Sequence, residues 1–84
     1  MYQVVKRNGK VVPFDIEKIS GAIEKAFAAM DKDYTPNIID FIALRVTADF
    51  EPKIKDSLIA VEDIQDSVES VLSKSGYTDV AKAY

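Results

Sequence analysis

At 84 residues the chain is long enough for one small domain with a modest core and too short for two. Its apolar share of 48% and charged share of 30% suit a folded chain, while a net charge of −3 argues against a general nucleic-acid binder. With no cysteine and no histidine it lacks a disulfide framework, thiolate metal ligands and the commonest general base.

No apolar run approaches the ~20 residues of a membrane span, and no signal-peptide pattern precedes the first predicted strand. A soluble, cytoplasmic protein is expected. The charge is uneven. Residues 1–25 carry Lys6, Arg7, Lys10, Lys18 and Lys25 against Asp15, Glu17 and Glu24, a net of +2, so the rest carries −5. A basic end on an acidic domain suits a small anion better than a polyanion.

The first nineteen residues organise the rest. Tyr2–Arg7 is predicted as a strand, Lys10–Phe14 as its antiparallel return, and Asn8-Gly9 as a type I′ turn with φ > 0 at both central residues. Pro13 cannot donate to a ladder, so the return strand ends there or lies on an edge. Strict alternation sends Lys6 and Arg7 to opposite faces of the sheet.

Asp15 is the predicted N-cap of a first helix, from about Ile16 to Met30, with Phe14 and Ile19 placed for a hydrophobic staple. Ile16, Ile19, Ile23, Ala26, Phe27 and Met30 form its apolar stripe. Gly21 inside it either lets another backbone approach or is incidental. Lys18 stands where a capping box would place Glu or Gln, against the helix dipole. That makes this helix start, beside Lys6, Arg7 and Lys10, a candidate phosphate site.

Thr35-Pro36 opens a second helix that runs to about Phe50. Its apolar residues spread over more than one stripe, and it is expected to be the most buried. Leu58-Ile59-Ala60 is a brief third strand. A third helix spans about Glu62 to Ser73, with an acidic start at Glu62, Asp63 and Asp66 and a stop at Gly76. Thr78-Asp79 begins a fourth whose stripe is cut off at its second turn, so residues 1–84 are expected to be a single domain truncated within that helix.

Val5-Lys6-Arg7-Asn8-Gly9, then Phe14-Asp15-x-x-Lys18-Ile19, Ala22-Ile23-x-Lys25-Ala26, and Val61-Glu-Asp-Ile-Gln-Asp-x-Val-Glu69 together resemble the ATP-cone. This is the regulatory domain at the N-terminus of many ribonucleotide reductases, found also in a bacterial repressor of reductase genes. The resemblance covers nearly the whole chain and is greatest to the anaerobic, glycyl-radical class. It implies an α+β, mainly helical fold: a small bundle capped by a three-stranded sheet that includes the N-terminal hairpin. It further implies ATP or dATP as allosteric effector, with Mg2+ as an optional companion, controlling oligomeric state and activity.

By the same resemblance the nucleotide-binding residues are Lys6 and Arg7, Lys18 and Ile19, Asp15, Val4 near the base, and Val61 where the family often has a hydroxyl. The implied partners are the nucleotide, the remainder of a parent reductase and a second cone; no nucleic acid or membrane is implied. No catalytic or metal-binding residue is assigned, so the fragment itself is read as non-catalytic.

Each signal also has a plainer reading. Lys6 and Arg7 equally suit solvated hairpin charges, Lys18 can pair with a nearby acid, and Tyr2, Tyr34, Tyr77 and Tyr84 suit packing better than base stacking. Two other functions stand beside the reductase sensor. One is the sensing part of a transcriptional repressor, which would place a zinc ribbon before the cone. The other is a degenerate cone kept for subunit contacts, which Val61 alone supports.

Overall fold

The computed structural model describes residues 2–84. In chain order it forms β1 (Gln3–Val5), β2 (Val11–Pro13), α1 (Ile16–Ala29), α2 (Pro36–Phe50), a 3-10 turn (Glu51–Lys53), β3 (Leu58–Ala60), α3 (Val61–Lys74) and α4 (Thr78–Ala83). This is the α+β fold expected, a helical bundle capped by a three-stranded sheet. The strand order is β2-β1-β3, with β1 antiparallel to β2 and parallel to β3. Val4 pairs with Val12 on one side and Ile59 on the other. Val4 and Ile59 are buried, so the sheet turns this row toward the helices.

The hairpin is built differently from the expectation. Its strands are three residues each. Lys6 N–H donates to Lys10 O at 2.8 Å and Gly9 N–H to Lys6 O at 2.9 Å, enclosing a three-residue loop. Gly9 has φ +85, whereas Asn8 is not among the positive-φ residues. The turn is thus type I with Gly9 as a bulge, not type I′. Asn8 instead uses its side-chain carbonyl to accept from Lys10 N–H at 3.0 Å. Pro13 ends an edge strand, where its missing donor costs nothing.

Both long N-terminal helices carry the caps their sequences announce. The Asp15 carboxylate accepts from Glu17 N–H, and the Thr35 hydroxyl accepts from Ile38 N–H ahead of Pro36. α1 ends with Asp31 in the left-handed region and Lys32 N–H returning to Phe27 O at 3.0 Å. α3 ends the same way, with Gly76 left-handed and Tyr77 N–H reaching Leu72 O at 2.9 Å.

One core joins Ile19, Ile23 and Phe27 of α1, Ile39, Ile42, Val46 and Phe50 of α2, Ile64, Val68 and Leu72 of α3, and Val80 of α4. At the sheet end, Tyr2 and Phe14 meet Phe50 edge-on, with ring centroids 6.0 and 5.8 Å from it. At the far end Phe27 meets Tyr34 and Tyr77 edge-on. Tyr2 and Tyr77 are therefore packing residues, whereas Tyr34 lays an exposed ring against Phe27.

α2 does not meet the expectation that it is the most buried helix. It buries one stripe but exposes Phe41 and Leu44, at 59% and 62%. Gly21 also has a plain explanation: a Cβ built there meets nothing within 4 Å, so no backbone approach requires it. Among the described residues no helix is long and apolar enough to cross a membrane.

Candidate functional site

Two adjoining cavities open between the hairpin, the start of α1 and the start of α3. The first, about 240 Å3, is walled by Val4, Val12 and Phe14 from the hairpin side, Ile19 from α1, Val61 and Ile64 from α3, and Tyr84; Lys6, Asp15, Lys18 and Gln65 are its polar members. The second, about 350 Å3, is lined by Lys6, Arg7, Asn8, Val61 and Gln65. Lys6, Val61 and Gln65 belong to both. Every predicted site residue lies on one wall or the other.

Local structure explains the convergence. β1 stops at Val5, so Lys6 and Arg7 lie in the loop and escape the alternation that would part them. Both line the second cavity, contrary to the opposite faces expected of them. The Asp15 cap starts α1 where its third residue, Lys18, reaches the first cavity. On α3, Val61, Ile64 and Gln65 share one face by their i, i+3, i+4 spacing.

The charges are unevenly partnered. Among the described residues the one ion pair is Lys32–Asp79 at 2.8 Å, remote from the cavities. Lys6, Arg7 and Lys18 have no carboxylate within ion-pair distance. Arg7 Nη2 instead donates to Gln65 Oε1 at 2.6 Å. Asp15 is the sole carboxylate in the lining, and its Oδ1 is already engaged by Glu17 N–H. Three cations without carboxylate partners beside an apolar cleft match the chemistry of a ligand that is apolar at one end and anionic at the other.

Gln65 is not among the site residues expected from the sequence, although its four-residue offset from Val61 on a predicted helix points to it. Tyr84 was weighed as packing, and it does pack against the core, but it also walls the first cavity. Burial, with Glu69 nearby, pushes its phenol above the ordinary value.

The profile of the ATP cone domain matches residues 2–84. The chain belongs to the ATP cone domain family. The cone is 44% identical, over 98% of its length, to part of a vitamin B12-dependent ribonucleoside-diphosphate reductase of Thermoplasma acidophilum. It is 38% identical over 96% to part of the ribonucleoside-diphosphate reductase subunit alpha of Chlamydia pneumoniae. A likeness to an anaerobic ribonucleoside-triphosphate reductase is also found, in Salmonella typhimurium, at 32% over 96%; contrary to expectation it is not the greatest, being lower than that to either of these two. The cone spans only 11%, 8% and 11% of these three relatives, so it corresponds to one small module of each.

Proposed function

We propose that this cone binds ATP or dATP as an allosteric effector and reports its occupancy to a ribonucleotide reductase of which it is one domain. The observation that carries the reading is the set of three cations, Lys6, Arg7 and Lys18, on two adjoining cavities with no ion-pairing carboxylate. The adenine lies in the apolar cavity between Val4, Ile19 and Val61. The phosphates run past Lys6 toward Arg7 and Asn8, and Lys18 meets the phosphate nearest the sugar. The first cavity falls below the ~300–1,000 Å3 usual for organic ligands and the second sits at the low end of that range, and one nucleotide spans both.

Regulation follows if the parent enzyme has two states that hold the nucleotide unequally, since a ligand shifts an equilibrium only by its differential affinity. The hairpin supplies Lys6 and Arg7, and α1 and α3 supply the opposite wall. Occupancy therefore changes how firmly the hairpin is held to the helices, and the resulting surface is read by the remainder of the reductase or by a second cone. Mg2+ accompanies the triphosphate from solution.

Calorimetric titration with ATP, dATP and GTP tests this. Saturable binding of the adenine nucleotides, tighter than that of GTP, is expected. No heat with any of the three would leave the degenerate cone as the correct reading.

A further inference from the structure

Arg7 sits in the hairpin loop and Gln65 in the second turn of α3, and their side chains meet at 2.6 Å. Among the described residues this is the one hydrogen bond between that loop and α3. Arginine can only donate, so the amide oxygen of Gln65 must face it and the amide N–H groups must point elsewhere. Gln65 is half-buried and lines both cavities, whereas Arg7 is exposed and lines only the second.

We propose that Gln65 is a positioning residue for the nucleotide site: it holds the Arg7 guanidinium on the second cavity, beside the residues that the two cavities share. The inference rests on the nucleotide reading above. A guanidinium has five N–H donors, so the bond to Gln65 leaves four for phosphate oxygens. Arg7 is a long, exposed side chain on a loop and would otherwise sample many rotamers. Fixing it before the ligand arrives lowers the ordering cost of binding. The same bond ties the hairpin to α3, so Gln65 also links phosphate binding to the position of the hairpin. A neutral amide suits this role better than a carboxylate, which would hold Arg7 but repel the phosphates.

The test is a double-mutant cycle on the full 84-residue chain. ATP and adenosine are titrated into wild type, Gln65→Met, Arg7→Ala and the double variant, with each fold checked by thermal melting without ligand. Gln65→Met should weaken ATP binding by about twelvefold, the low end for a hydrogen bond to a charged group. It should weaken adenosine binding much less than ATP binding, and it should add nothing to Arg7→Ala. In the free protein, 15N relaxation of the Arg7 guanidinium should show increased mobility in Gln65→Met.

Equal weakening by Gln65→Met in the presence and absence of Arg7 would show that Gln65 acts on its own and would overturn the proposal. So would unchanged ATP affinity in Gln65→Met while wild type binds normally. Failure of wild type to bind ATP at all would instead remove the nucleotide reading, and this inference with it.

Discussion

Lys55 and Leu58 exchange two backbone hydrogen bonds, of 3.0 and 2.9 Å, around a turn in which Asp56 and Ser57 both have positive φ, 52° and 62°. This is the two-residue turn expected at Asn8-Gly9, made here without glycine. Its position matters, because Ser57 O accepts from Gln3 N–H at 2.8 Å and so helps dock β1 against β3.

Ser57→Gly should therefore stabilise the domain. The left-handed region costs a residue with a Cβ about 1–2 kcal/mol. The extra freedom of glycine in the unfolded chain offsets about 0.4–1 kcal/mol of that. A net gain of about 0.5–1 kcal/mol should appear in urea unfolding. A lower midpoint would show that the Ser57 side chain supports the turn in a way the backbone geometry does not reveal.

Gly21 and Gly76 should respond to alanine in opposite directions. Gly21 lies inside α1 with open space around its missing Cβ, so Gly21→Ala should gain about 1 kcal/mol. Gly76 has φ +90 at the end of α3, and Gly76→Ala should lose about 1–2 kcal/mol there. Both are read from melting temperatures under one set of conditions. A loss at position 21 would mean that the helix is constrained by something other than its own packing.

Lys18 is expected to contact the nucleotide. It is the third residue of α1, where a cation opposes the helix dipole. Lys18→Glu should slightly stabilise the free domain and weaken ATP binding more than tenfold, a loss above ~1.4 kcal/mol. Ligand stabilisation is ~2.7 kcal/mol at a hundredfold excess over Kd, so melting with and without ATP reads both effects. Lys10→Glu is the control for general charge, because Lys10 lines neither cavity. Equal ATP-induced shifts in wild type and Lys18→Glu would make Lys18 an ordinary surface charge.

Acid should expose the contribution of Asp79. Its hydrogen bond with Lys32 holds its carboxyl below the ordinary value of 3.8. The folded state thus takes up this proton later than the unfolded state as pH falls. The stabilisation is full above the unfolded value and is lost as pH drops through the folded one. The melting gap between wild type and Asp79→Asn should be open at about pH 6 and close toward about pH 2. A gap independent of pH would mean that neither the Lys32 pair nor the 2.9 Å bond from Val80 N–H makes the ionised form of Asp79 stabilising.

Local chemistry in the sequence determined the elements of this protein. Caps at Asp15 and Thr35, the stop at Gly76 and the stripes of α1 and α3 act within a few residues, so spacing alone exposes them. The motif blocks likewise determined the family, because they lie at a fixed separation along the chain. Tertiary structure decided which of these residues meet. The early end of β1 brings Lys6 and Arg7 onto one cavity, and packing of the hairpin against α3 places Gln65 beside Arg7. It also decided which stripe of α2 stayed outside, since burial depends on what the other helices cover. These contacts join residues up to 58 positions apart, and no local preference encodes them.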